Sequence, residues 1–141
     1  MNILTLISKQ PTLNNVAALL ARIGLSAIFL LTGLTKIEYF DATAQYMATA
    51  GLPAFLLPAV IAFELIGGLF ILLGFITQLT ALAFAGFSLA SALMFHFQLD
   101  DQTQFLMFYK NIAMAGGFLA LASLGAGKIS IDQLILKRSK H

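Results

Sequence analysis

Four long apolar runs decide what this chain can become: VAALLARIGLSAIFLLTGL (16–34), AFLLPAVIAFELIGGLFILLGFI (54–76), LTALAFAGFSLASALMFHF (79–97) and FLMFYKNIAMAGGFLALASL (105–124). Each is 19 to 23 residues long. At about 1.5 Å of rise per residue each can cross the roughly 30 Å hydrocarbon layer, and a helix satisfies its backbone groups within one segment. Four transmembrane helices are predicted. Composition agrees, with 60% of the 141 residues hydrophobic, 10% charged and a mean hydropathy of +0.92, far from soluble averages. The expected fold is all-α, an integral-membrane four-helix bundle in one domain over residues 1–141. The first run is expected to stay in the mature chain. Pro11, Asn14 and Asn15 precede it, it has the length of a span, and no small-residue cleavage site follows.

The few charges exclude several classes. Only 8 basic and 6 acidic residues give a net charge of +2, and several lie inside apolar runs, so no basic patch suggests nucleic acid. With no cysteine, disulfides, thiol relays and C-x-x-C redox chemistry are ruled out. No glycine-rich phosphate loop, G-x-S-x-G or H-E-x-x-H occurs, so the chain carries no complete catalytic motif. Any electron carrier must be borrowed.

Lys9 lies before the first run, and Lys128, Lys137, Arg138 and Lys140 follow the fourth. By the positive-inside rule both termini should be cytoplasmic, and an even number of spans agrees by placing them on the same side. The opposite side then carries Glu38, Asp41, Asp100 and Asp101, with only Lys36 and Lys110 dissenting. The second connection is little more than Thr77-Gln78, so spans two and three should form a tight antiparallel hairpin of packed neighbours. In the first connection Ile37, Phe40, Ala44 and Met47 recur at helical spacing opposite Glu38, Asp41, Gln45 and Thr49. An interfacial amphipathic helix is predicted at about 37–50, stopped by Gly51 and Pro53, either as a plain connector or as a lid over an outward-facing cavity. Gly86 with Ala90, and Gly116 with Ala120, are i, i+4 small pairs suited to close helix packing.

Glu64 stands alone near the middle of AVIAFELIGGLFILLGF. An unpaired charge there costs stability in a core or in lipid, so it needs a partner or a task. The ionisable residues within or at the edge of the spans are Arg22, Lys36, Glu64, His96 and Lys110. Arg22 lies six residues into span one, about 9 Å deep, and its planar fork suits a carboxylate, so it is the first expected partner of Glu64. Lys110, followed by Asn111, is the second. The cluster reads either as a structural ion pair or as a holder for a polar head group, a proton or a quinone carbonyl. His96, at the end of span three, reads as an interfacial histidine, a proton relay or a metal ligand; no second inward-facing ligand is found, so no metal site is expected.

RIGLSAIFLLTGLTKI, AFELIGGLFILLGFITQ, YKNIAMAGGFLAL and GAGKISID together resemble the DoxX family of small four-helix bacterial membrane proteins, over about residues 16–132. The residues carrying the resemblance are Arg22, the G-x-x-K of Gly33 and Lys36, Glu64 before Gly67 and Gly68, the Lys110-Asn111 pair and the closing Ser-Ile-Asp. It implies a bacterial inner (cytoplasmic) membrane and a quinone connection, because the family name comes from a subunit associated with thiosulfate:quinone oxidoreductase. Related proteins carry oxidoreductase labels by association. The leading expectation is a redox-associated subunit with no intrinsic cofactor that binds a quinone or similar lipid-soluble molecule, with catalysis in a partner chain. Membrane lipid and a second copy are further expected partners. The rivals are a non-catalytic scaffold or assembly factor and a small proton-coupled transporter, the last disfavoured because the only visible interruption of a span is at Pro58.

Overall fold

The computed structural model describes residues 3–141. Its elements are α1 (Ile3–Ser8), α2 (Pro11–Glu38), α3 (Phe40–Thr49), a 3-10 turn (Ala54–Leu56), α4 (Leu57–Leu73), α5 (Thr77–Phe95), α6 (Gln102–Leu124) and α7 (Ile131–Arg138). Among the described residues every element is helical. Four helical stretches, Pro11–Glu38, Ala54–Leu73, Thr77–Phe95 and Gln102–Leu124, are long and apolar enough to cross a membrane, so the chain is an all-α membrane protein. The short helices α1 and α7 were not expected from the sequence. Their local signals are weak, although Ser130 caps α7 by accepting from the Gln133 N–H at 3.3 Å.

Spacing explains the bundle. Buried Arg22, Ser26, Phe29 and Gly33 alternate steps of four and three along α2, and Leu57, Ile61, Glu64, Gly68 and Ile71 do the same along α4. Such seams bring two helices together at a shallow angle. The antiparallel register is fixed where side chains are missing: a Cβ placed on Gly33 would lie 2.7 Å from Leu65 Cδ2, and one on Gly68 would lie 2.9 Å from Leu30 Cδ2. On α5 the buried Ala81, Ala85, Ser88 and Ala92 form a small-residue seam, and α5 packs closely on α6. Between the two pairs sits an aromatic core, where the Phe84 ring lies 4.4 Å from Phe29, 4.7 Å from Phe63 and 5.1 Å from Phe118, centroid to centroid.

That core corrects two expectations. The α4–α5 connection is short, but it is residues 74–76 that turn, while Thr77 and Gln78 already open α5. The two helices also touch less than their connection predicts, because the Phe84 ring fills the space that a Cβ on Gly67 would enter, at 2.8 Å. The pairs Gly86 with Ala90 and Gly116 with Ala120 do not pack the bundle. All four are exposed, and neither glycine has a neighbour that an added Cβ would meet. Small residues recur on both faces of these helices, so spacing alone could not select the buried set.

The two ends differ in construction. At the terminal end, where α2 begins and α6 finishes, the Lys128 N–H donates to Asn15 Oδ1 at 2.9 Å. Asp132 accepts from the Ile76 and Thr77 N–H groups at 2.7 and 2.9 Å, and its own N–H donates to Gly74 O at 2.8 Å. Its carboxylate thus caps α5 and holds Ile76, a β-branched residue at φ +47°, in the left-handed turn. At the opposite end α3 folds back over the bundle. Gly51 ends it at φ +77°, with the Leu52 N–H returning to Met47 O at 3.1 Å. The observed helix starts at Phe40 rather than 37, because α2 runs on to Glu38. Its inward face is also narrower than predicted: Met47 is buried and Ala44 packs beside it, whereas Ile37 and Phe40 are exposed.

Candidate functional site

The register of α2 against α4 decides which cation meets Glu64. Arg22 and Lys36 are fourteen residues apart, about 21 Å along α2. Only Lys36 lies level with Glu64. Its Nζ is 2.9 Å from Glu64 Oε1 and 3.0 Å from Oε2, and the Thr32 hydroxyl donates to Oε2 at 3.3 Å. Glu64 is 2% exposed, while a quarter of the Lys36 side chain is open. Two ammonium protons reach the carboxylate, and one remains for a third acceptor.

Arg22 and Lys110 therefore do not pair with Glu64, contrary to expectation. Arg22 is 1% exposed at the terminal end, where Nη1 donates to Leu72 O at 2.9 Å and Nη2 donates to Ile129 O. A cation at the last carbonyls of α4 also complements that helix's negative end. It ties the C-terminal segment to the bundle. Lys110 is exposed on α6, with Nζ 3.4 Å from Met107 Sδ, and the neighbouring Asn111 is buried and donates to Met107 O at 2.9 Å. Neither lines the space beside Glu64.

That space is a partly open cavity of about 320 Å³ bordered by α2, α3, α4 and α5. Its polar lining is Lys36, Glu64, Thr43, Tyr46, Ser91 and His96, and its apolar walls include Phe87, Met94 and Phe95. The volume falls within the roughly 300–1,000 Å³ typical of small-molecule sites, as does the mixture of apolar walls with a few convergent polar groups. His96 joins the site, although its position at the end of span three favours a plain interfacial residue. Its Nδ1 lies within hydrogen-bond distance of Gln104 Oε1, at 2.7 Å. Over the top, the Tyr46 and Phe95 rings stack at 5.3 Å and the Tyr46 hydroxyl reaches Phe95 O at 3.5 Å.

The sequence reading missed Thr32, Thr43, Tyr46 and Ser91. For Lys36, which the sequence placed at the edge of the span but not beside Glu64, a signal existed. The buried positions 22, 26, 29 and 33 continue to 36 by the same alternation, which places Lys36 on the seam. Among the described residues there is no group of three or more His, Cys, Asp or Glu that could hold a metal ion. A wider recess of about 760 Å³ lies at the terminal end, but its carboxylate, Asp132, is already engaged by two backbone N–H groups.

Comparison with known proteins fits this architecture. The DoxX family's sequence model matches residues 17–97, which include Arg22, Lys36, Glu64 and His96 and more than half of the chain. The chain belongs to the DoxX family. It is 46% identical over 126 residues to Inner membrane protein YqjF of Escherichia coli (strain K12), covering 89% of this chain and 97% of that one. To Inner membrane protein YphA of the same organism it is 38% identical over 125 residues, covering 84% and 89%. A more distant relative, 27% identical over 130 residues and covering 89% and 92%, bears the name "Putative oxidoreductase CatD", from Bacillus subtilis (strain 168). No solved structure matches the chain.

Proposed function

We propose that this DoxX protein is an inner-membrane subunit of a redox assembly that binds a quinone, or a similarly lipid-soluble molecule, in the cavity beside Glu64. The observation that carries the reading is the buried Lys36–Glu64 pair opening onto a cavity with aromatic and apolar walls inside a membrane bundle. The residues fit a quinone head. Lys36 has a donor left for a carbonyl oxygen, Ser91 adds a hydroxyl, and Phe87 and Phe95 offer ring faces, whereas the Thr43 and Tyr46 hydroxyls already donate to Tyr39 O and Phe95 O. Glu64 holds the ammonium in place and His96 offers a second polar contact. When bound, the quinone would supply two-electron acceptor chemistry. The electrons would come from a partner chain, since this one has no cysteine and no complete redox motif.

The relatives' names support an inner-membrane location, and the cations at positions 9, 128, 137, 138 and 140 support cytoplasmic termini. The cavity then opens near the outer surface, with α3 as its cover.

Titration of a short-chain quinone into the protein in lipid nanodiscs, followed by quenching of tyrosine fluorescence, tests the reading. Saturable quenching in the wild type, weakened at least about tenfold by Lys36→Met, is expected, because one charged hydrogen bond contributes roughly 1.5–3 kcal/mol. Equal binding by both proteins, or none by either, would favour a scaffold in which the pair only fixes helix register.

A further inference from the structure

A second cavity, of about 820 Å³, lies between α2 and α6 at the terminal end, away from the Lys36–Glu64 site. Its walls are low because small residues face each other there: Ala17, Ala18 and Ala21 on α2, Gly117 and Ala120 on α6. It is a groove with closed ends. Deep in the bundle Leu25 meets α6, its Cδ2 only 3.1 Å from where a Gly117 Cβ would stand. At the other end a Cβ on Gly127 would lie 3.0 Å from Ala18 Cβ, so the segment after α6 closes on α2.

The lining is graded. Polar side chains, Ser8, Asn14 and Asn15, occur only at the terminal end, and apolar ones from there inward. From Asn14 to Leu25 is eleven residues of helix, about 16 Å, which matches one leaflet of a hydrocarbon layer roughly 30 Å thick. The polar end is also cationic. Lys9 follows Ser8 and Lys128 follows Gly127, both exposed beside the groove rather than on its wall, with Lys128 on the edge shared with the 760 Å³ recess, and Lys137, Arg138 and Lys140 are carried by the same end. The nearest acid in sequence, Asp132, has both carboxylate oxygens occupied by the Ile76 and Thr77 N–H groups.

We infer that this groove binds one anionic phospholipid, with an acyl chain along α2 and α6 and the phosphate held at the mouth by Lys9 and Lys128. The charge selects the occupant. A second copy of the chain seated here by a two-fold axis would bring Lys9 and Lys128 against their own kind, whereas a phosphate neutralises them. A zwitterionic lipid fits the groove but leaves the cations uncompensated.

Native mass spectrometry of the full chain in mild detergent, with equimolar phosphatidylglycerol and phosphatidylcholine of matched acyl chains, tests the assignment. The wild type should retain one phosphatidylglycerol in preference to phosphatidylcholine. Lys128→Gln should lower the preference by about fivefold, the value of one lysine near an anionic head group. Ala21→Phe should fill the groove and expel both lipids. If that variant does not fold, Ala120→Phe on the opposite wall makes the same test. Equal retention of the two lipids by the wild type, full retention after the groove is filled, or a dimer peak that disappears with Ala21→Phe would overturn the inference.

Discussion

Each end of the bundle buries a charge between α2 and α4, but in different ways. At the terminal end the guanidinium of Arg22 is bonded to the carbonyls of Leu72 and Ile129, which joins three segments and leaves Arg22 1% exposed. At the opposite end Glu64 is met by a lysine that remains a quarter open, beside a 320 Å³ cavity. An arginine spent on backbone carbonyls is a fastener. A lysine with a spare proton facing a cavity can still accept a ligand, so burial of charge alone does not distinguish structure from function; what surrounds the charge does.

The largest expected effect breaks the fastener. Arg22→Ala removes the donors of two carbonyls and empties the space of a long side chain, so thermal unfolding in detergent should show a loss of about 4 kcal/mol. Quinone binding by the protein that stays folded should be unchanged. Next comes Lys36→Ala, which leaves Glu64 without its cation and should cost about 2 kcal/mol, access of water through the open edge limiting the damage. Glu64→Gln should cost less, about 1 kcal/mol, because an amide still bonds Thr32 and accepts from Lys36. Both changes should weaken the ligand, which separates this end from the other. The smallest effect is expected at Lys110, where alanine should leave both the unfolding temperature and binding unchanged, as among the described residues its exposed ammonium bonds only to Met107.

The number of spans and their limits were legible to within a few residues, because an apolar run long enough to cross a bilayer has few alternatives. The pairing of charges was not. Depth had been counted from the ends of the apolar runs, but α2 extends from Pro11 to Glu38 and the first residues of the second run form a 3-10 turn, so α4 begins only at Leu57. Both shifts move Glu64 towards Lys36 and away from Arg22. Lys36 looked like a flanking cation because hydropathy falls beside it, although the four-three spacing of α2 carries the helix through it. The cavity was still less visible, since Thr43, Tyr46 and Ser91 come from helices whose mutual placement depends on how α3 folds back after Glu38. The closing Ser-Ile-Asp motif was recognisable as a pattern, but its role in capping α5 across more than fifty residues requires the fold.

The central claim is that the ligand sits at the Glu64 end, beneath α3. Photolabelling with a quinone analogue that carries its reactive group on the ring, followed by peptide mapping in wild-type and Lys36→Met protein, tests it most directly. The account predicts labels on α3, the first half of α4 and the second half of α5, at Tyr46, Met47 or Met94, competed by unmodified quinone and lost in the variant. Labels confined to the α2–α6 groove, or labels at the cavity that neither competitor nor substitution reduces, would contradict it.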